Sequence, residues 1–451
     1  MGPRRAAGPE RAAGARRRSP VLVLAAVAIV LLGLAACETE DPEGPVELTF
    51  AFGPDESDTL EPLIERFNAT NDEDITVTWR EMPRESDAYF AELVAELEGG
   101  DSDIDVFGAD VVWTAELADN DLVVDLTSRF RDDYDADDFV APALSSASYE
   151  LRQWGVPWYT DAGVLLYRAD LLADAGYDAP PATWDELRTM AATVTGNTDV
   201  EHGFVFQGAD YEGGVVNLLE HIWSFGGRVL TTRASVAGAF GQNVMAPNVI
   251  VIDSSRTAEG LDHARELVVD GTTPAEVVDY REVESDLLFA EGDAVFLRSW
   301  PLAVAVATAG GLDIDQIGVA PLPVAREGDP SFSALGGWNL MVNDDSAFPS
   351  AAWTFIRYMT DAEQQRVRAE DGAFLPTLEA LYDDDALAAA QPVLEVGRTA
   401  VEDARLRPVS PLYSEISPLL SAGFQDVLIG EASGQEVASR LQGDLDALIA
   451  N

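Results

Sequence analysis

The amino-acid sequence predicts an α/β protein of two lobes with extra helices in its C-terminal third, and three observations carry that reading. The chain has 451 residues, more than one average domain requires. After residue 45 it opens with strand-like and helix-like segments in the order βαβαβ, the sign of a sheet with parallel strands and covering helices. A second α/β stretch begins near Gly163. Apolar residues make up 47% and charged residues 24%, so disorder, collagen and a multi-span membrane protein are excluded.

Taken in order, Val46-Glu47-Leu48-Thr49-Phe50-Ala51-Phe52 alternates and reads as a strand. Leu60, Leu63, Ile64 and Phe67 fall at i, i+3, i+4, i+7 and predict a helix. Ile75–Trp79 is the next strand, Asp87–Glu98 a helix stopped by Gly99-Gly100, and Ile104–Phe107 a third strand. In the second stretch Val164–Tyr167 is strand-like. Thr183-Trp184-Asp185-Glu186 is a capping box before a helix containing Leu187, Met190, Ala191 and Val194. Phe204–Phe206 and Ala294–Leu297 read as strands, Ala258–Val269 and Val283–Ala290 as helices. Beyond residue 346 the pattern is mostly helical and ends on an amphipathic helix carrying Val437, Leu441, Leu445 and Leu448. No internal repeat is present.

The N-terminus reads as an address. Residues 1–20 hold six arginines, and an unbroken apolar run follows from Val21 to Ala36. That run is shorter than the roughly 20 residues a spanning helix needs, and the pattern is that of a secretory signal. It ends Leu34-Ala35-Ala36-Cys37, which resembles a bacterial lipobox; in such signals the cysteine is lipidated and becomes the first mature residue. Residues 1–36 are thus expected to be a lipoprotein signal peptide and 37–45 an acidic, Pro/Gly-containing tether. Either the general or the twin-arginine export route fits Arg16-Arg17-Arg18.

Eighty acidic residues against 28 basic ones give a formal net charge of −52, and every basic residue is arginine. Without the signal peptide the charge becomes −57. This excludes a cationic nucleic-acid-binding protein, which needs clustered Lys and Arg for phosphate contacts. Most of the charge reads as surface, suited to a saline exterior. Three histidines and one cysteine leave little material for a zinc site or a disulfide framework. Walker A, G-x-G-x-x-G, H-E-x-x-H, C-x-x-C and G-x-S-x-G patterns are all absent. Asp101-x-Asp103-x-Asp105 begins like a calcium loop. Val106 and Val112 stand where its glycine and bidentate glutamate should be, so no metal and no cofactor is expected.

The chemistry that is present is aromatic. Trp158-Tyr159-Thr160-Asp161 follows Pro157, Arg298-Ser299-Trp300-Pro301 follows a strand, and Gly336-Gly337-Trp338-Asn339 makes a third such place. Tryptophan beside Gly or Pro suggests loops near the surface. Sugars need this combination: their C–H faces stack on aromatic rings, and Asp, Glu and Arg bond their hydroxyls. Each indole alone reads equally well as core; three recurrences favour stacking platforms.

The sequence resembles the extracellular solute-binding proteins, family 1, of ABC sugar importers, most closely their trehalose/maltose-binding lipoprotein subgroup. The resemblance is carried by Ile104–Trp113, Val156–Asp161 with Leu166–Leu172, Pro181–Leu187, Ala294–Pro301, Gly336–Leu340 and Arg407–Tyr413. It implies a type II periplasmic-binding-protein fold, α/β, with a ligand cleft between two lobes joined by hinge crossings. The N-terminal lobe would comprise 46–157 plus about 302–345, and the C-terminal lobe 158–301 plus about 346–451. Crossings would fall near 158–162, 298–302 and 344–350. The resemblance places ligand binding at Glu56, Asp110, Tyr159, Asp161, Trp300, Gly337, Trp338 and Arg407, with Asp55, Trp113, Trp158 and Asn339 behind them. Asp110, Asp161 and Arg407 would anchor hydroxyls, and Trp300 and Trp338 would stack. It further implies a monomeric, non-enzymatic binding protein. Lipidated on Cys37 at the outer face of the bacterial cytoplasmic membrane, it would capture trehalose, maltose or a related glucoside by hinge closure and pass it to a permease. Two alternatives stay open: a binder of a polyamine or polyol, and an extracellular carbohydrate-active enzyme.

Overall fold

The computed structural model describes residues 44–450 apart from 56, 101, 233–247 and 392. The signal peptide, Cys37, most of the tether and Glu56 therefore lie outside the described residues. Two sheets organise the rest. The strands used below are β1 (Val46–Phe52), β2 (Ile75–Glu81), β3 (Val106–Asp110), β4 (Val156–Ala162), β5 (Val164–Arg168), β6 (His202–Val205), β7 (Ala294–Ser299), β8 (Ile317–Ala320) and β9 (Leu335–Val342).

The first sheet has the order β2-β1-β3-β9-β4 and the second β8-β5-β7-β6. β1 pairs parallel with β2 from Val46↔Ile75 and parallel with β3 at Phe50↔Val106. The βαβαβ opening is thus as the periodicity reads it. Leu60, Leu63, Ile64 and Phe67 are the buried stripe of helix Leu60–Thr70, and the Thr183/Glu186 capping box opens helix Trp184–Thr195. Both sheets are mixed, however: β9 runs antiparallel to β3 and β4, and β5 antiparallel to β7 and β8.

Two strands depart from the sequence reading. Trp158 and Tyr159 lie on β4, and Trp338 lies on β9, rather than on loops. Pro157 and Gly336-Gly337 look like breakers. Yet β9 absorbs its glycines by a bulge between Trp338 and Asn339, with Gly337 at φ +109°. A β-carbon there would come within 2.5 Å of the Tyr159 carbonyl oxygen, so glycine is what lets the two strands approach.

The chain also changes sheets at other places than the resemblance implies. It passes from the first sheet to the second between β4 and β5. Trp300 begins no crossing, because helix Ala303–Gly310 packs against helix Glu282–Ala290 and β8 hydrogen-bonds to β5 in the second sheet. The return lies between Ala320 and Leu335. Residues 344–350 begin no crossing either: helix Pro349–Thr360 buries Trp353, Phe355 and Ile356 in the core of the first sheet, together with Phe50, Phe67 and Trp158. The last passage is the loop between Glu402 and Tyr413, after which helices Tyr413–Ile429 and Gly434–Ile449 bury Leu420, Phe424, Val437 and Leu441 on the second sheet's side. The apolar spacing of a helix says which face is buried, but not against which sheet.

These three passages meet at a buried ion pair. Arg298 and Glu220 are joined at 2.6 Å by two parallel bonds, with side chains 2% and 4% exposed. Gly163, between β4 and β5, lies against both side chains. The backbone N–H of Ala334 donates to Glu220 at 3.0 Å, and Ala334 bridges to Arg405 of the last passage. A methyl group at residue 163 would run into the ion pair. Gly163→Ala is therefore expected to lower stability by about 3–5 kcal/mol, the cost of disrupting a buried pair. Gly443→Ala, whose β-carbon would meet open space in helix Gly434–Ile449, should stabilise by about 0.5–1 kcal/mol. Denaturant titration of both variants checks this; equal stabilities would remove the junction from its structural role.

Candidate functional site

Three consecutive residues of β9 gather most of the predicted site. Gly336 faces Asp161 across β4, and a β-carbon on Gly336 would lie 3.1 Å from the Asp161 β-carbon and 3.0 Å from the Trp300 ring. Trp300 follows β7 of the second sheet, so a carboxylate from one sheet and an indole from the other meet over this glycine. Gly337 gives the close backbone approach described above. Trp338 stands opposite Asp110 on β3 and Tyr159 on β4.

Each ring is held in place. Trp338 stacks on Tyr89 at 5.6 Å and 19° and meets Phe52 and Trp113 edge-on at 5.0 and 5.3 Å. It remains half-buried, so part of the ring is free to meet a ligand. Trp300 is fixed from two sides. The Arg298 guanidinium lies 4.3 Å from its ring centroid, and the indole N–H donates to Glu282 at 3.3 Å. The other oxygen of Glu282 accepts from the Tyr211 hydroxyl at 2.6 Å. Tyr159 packs on Phe374 at 4.5 Å.

The charged groups are less free than the sequence suggests. Asp110 Oδ1 accepts from Arg407 at 2.7 Å, and its Oδ2 accepts from Ser86 at 2.9 Å. The other end of the Arg407 fork donates to Glu212 at 2.5 Å, and Glu212 also accepts from Tyr413 and Ser417 at 2.5 Å. Glu212 opens helix Glu212–Ser224, which packs against helices Ser255–Val269 and Tyr413–Ile429. Arg407 thus bridges a carboxylate on the first sheet and one on the second sheet's helices. Burial alone would pull the Arg407 guanidinium down, but Asp110 and Glu212 more than offset this and hold it above its ordinary value. Burial pushes the Asp161 carboxyl up to about 8, against the opposing pull of the Ala162 N–H and Arg298.

The second-line residues mostly serve packing. Trp158 is fully buried, edge-on to Phe52 at 4.9 Å with Arg368 over its ring at 4.3 Å, so it belongs to the core. Trp113 is buried behind Trp338. Asn339 is buried and bonds Ser146 at 3.2 Å. Asp55 accepts from the backbone of Leu60 at 2.6 Å and ties down the start of helix Leu60–Thr70. Sequence reasoning missed Glu212, Glu282, Tyr211 and the Arg298–Glu220 pair. The only signal for them is position: Tyr211 and Glu212 follow a strand at a helix start, and Arg298 stands two residues before Trp300.

Comparison with known proteins bears on the family and the fold. The profile of the bacterial extracellular solute-binding proteins matches residues 53–366. A probable ABC transporter-binding protein of Deinococcus radiodurans is 33% identical over 379 residues, 82% of this chain and 86% of that protein. The structure of maltose-bound MalE3 of T. maritima superposes with a TM-score of 0.80 at 33% identity, covering 89% of this chain and all of the other. A solute-binding protein of Agrobacterium radiobacter K84 in complex with ribitol gives 0.76 at 25% identity, covering 90% of this chain and all of the other. With its two sheets and this breadth of match, the chain belongs to the bacterial extracellular solute-binding protein family.

Proposed function

We propose that this protein captures a sugar or polyol between its two lobes, by hinge closure, and delivers it to an ABC importer. The observation that carries the reading is the meeting of Asp161 and Trp300, from different sheets, over Gly336. An indole face beside a carboxyl suits a ring or chain bearing hydroxyls. A solute that touches both sheets favours the state in which both sets of contacts are made. Maltose in the T. maritima protein and ribitol in the Agrobacterium protein fall in this chemical range. Trehalose, maltose or a related glucoside is the class first to be tested. A polyamine fits less well, because Asp110 and Glu212 are already matched by Arg407 and Asp161 is pushed towards its neutral form. The reading includes anchoring through Cys37 on the outer face of the cytoplasmic membrane, as a monomer, without bond-breaking chemistry on the solute.

A thermal-shift screen over disaccharides and polyols identifies the solute, since a ligand of the folded state stabilises by RT ln(1 + [L]/Kd). With that solute, Trp300→Ala and Asp161→Ala should each weaken binding by about 100-fold, or ~2.7 kcal/mol, and abolish solute-induced compaction while leaving the fold intact. Calorimetry showing undiminished affinity in both variants would refute the site.

Stability without solute should carry the signature of Asp161. Its folded value of about 8 lies above the ordinary carboxyl value, so between the two the folded state binds more protons than the unfolded one. Stability from this group is then full at acid pH and declines as pH rises towards about 8. Asp161→Asn should remove that decline, so melting temperatures of the two proteins measured from pH 4.5 to 8 should follow different slopes. Parallel slopes would mean that the carboxyl titrates normally.

A further inference from the structure

The hinge loop carries a second feature, distinct from the convergence on β9. A cavity of about 720 Å3 lies between helix Ala141–Ser146 of the first sheet and helix Glu212–Ser224 of the second, closed by residues 402–409. Its walls include Pro142, Leu219, Trp223, Arg228, Arg405 and Arg407. Three arginines around one cavity are unexpected in a chain with 80 acids, and their pairing makes them more so. Arg228 and Arg405 make no ion pair among the described residues. The one carboxylate among the described wall residues, Glu402, is engaged by Arg398 at 3.0 Å. Arg407 uses both ends of its fork on Asp110 and Glu212, but its buried Nε–H has no partner. Arg405 is kept in the cavity wall by aromatic stacking, 3.3 Å from the Phe332 ring centroid and 5.8 Å from that of Trp223. Burial, and then the like charge of Arg228, pull its guanidinium below the ordinary arginine value.

Two guanidiniums without an ion pair and an indole line a space large enough for a sugar-sized molecule. We propose that this cavity binds a sugar-sized solute bearing an anionic group, held by Arg228 and Arg405 and walled by Trp223. A carboxylate or a phosphate supplies the planar or multi-oxygen acceptor that paired guanidiniums match. The site is separate from the Asp161–Trp300 contact, so it stands or falls independently of the neutral-solute reading.

The test is calorimetry on the folded chain with glucuronate and with glucose 6-phosphate, at fixed ionic strength set by chloride, with inorganic phosphate as the small-anion probe. Saturable binding of glucuronate or glucose 6-phosphate is expected, weakened at least tenfold by Arg228→Gln and by Arg405→Gln, with the affinity for the neutral solute unchanged in both. Binding of glucuronate alone or glucose 6-phosphate alone decides between carboxylate and phosphate and supports the site either way. Absence of binding by both sugars, inorganic phosphate binding as well as they do, or equal affinities in the wild type and Arg228→Gln would overturn it. Arg228 is exposed and makes no ion pair, so that variant should fold even if Arg405→Gln does not.

Discussion

The Arg298–Glu220 ion pair is the interaction on which the rest of the structure leans. Burying two charges is costly unless each is matched and its remaining hydrogen-bonding capacity is used. Here the match is bidentate, and Glu220 additionally accepts the Ala334 N–H while Arg298 donates to Gln207 at 3.2 Å. The pair is therefore satisfied by groups from four places: the β7 strand end, the helix Glu212–Ser224, Gln207 just after β6 and the chain entering β9. It fixes the relative position of the passages between sheets at the point where Gly163 allows the closest approach.

The binding geometry follows from that junction. The guanidinium that pairs with Glu220 also lies against the Trp300 ring, so the ring's back is set by the hinge and its edge by Glu282. A pre-set ring loses less freedom when a solute stacks on it. The same logic holds at Arg407, which sits on the last passage and is divided between Asp110 and Glu212. Separation of the two sheets would have to break one of these bonds, so under the proposed function Arg407 is a contact on which closure would act.

How much of this was legible in the sequence depended on whether a signal was local. The opening strands and helices were readable because Leu60, Leu63, Ile64 and Phe67, or the alternation from Val46 to Phe52, are set by the period of a single element. The residues Asp110, Asp161, Trp300, Gly337 and Trp338 came from the resemblance, and the structure brings them together along β9. What failed was non-local. Trp158 reads as a loop residue because Pro157 precedes it, yet it lies on edge strand β4 and its ring packs inward on Phe50, Phe52 and Arg368. Likewise β8 and the helix from Pro349 to Thr360 were assigned to the wrong neighbours. Partner choice between two sheets is decided by packing at a distance of many residues, which periodicity does not encode. Arg298 and Glu220 are 78 positions apart, and nothing local in either segment marks them as partners.

The charge of −52 takes a different meaning once the interior is mapped. Where the sheets meet, charges cancel: Glu220 against Arg298, Asp110 and Glu212 sharing Arg407, and Asp161 pushed towards neutrality by its burial. The excess carboxylates are on the surface, where isolated ion pairs contribute little and salt screens them over about 8–10 Å. A neutral solute gains nothing from that field, so its capture has to rest on short-range stacking and hydrogen bonds inside the cleft. Like surface charges repel, so an anion would be drawn in only where local arginines outweigh the global repulsion. The cavity bounded by Arg228, Arg405 and Arg407 is a place where arginines outnumber carboxylates among the described wall residues.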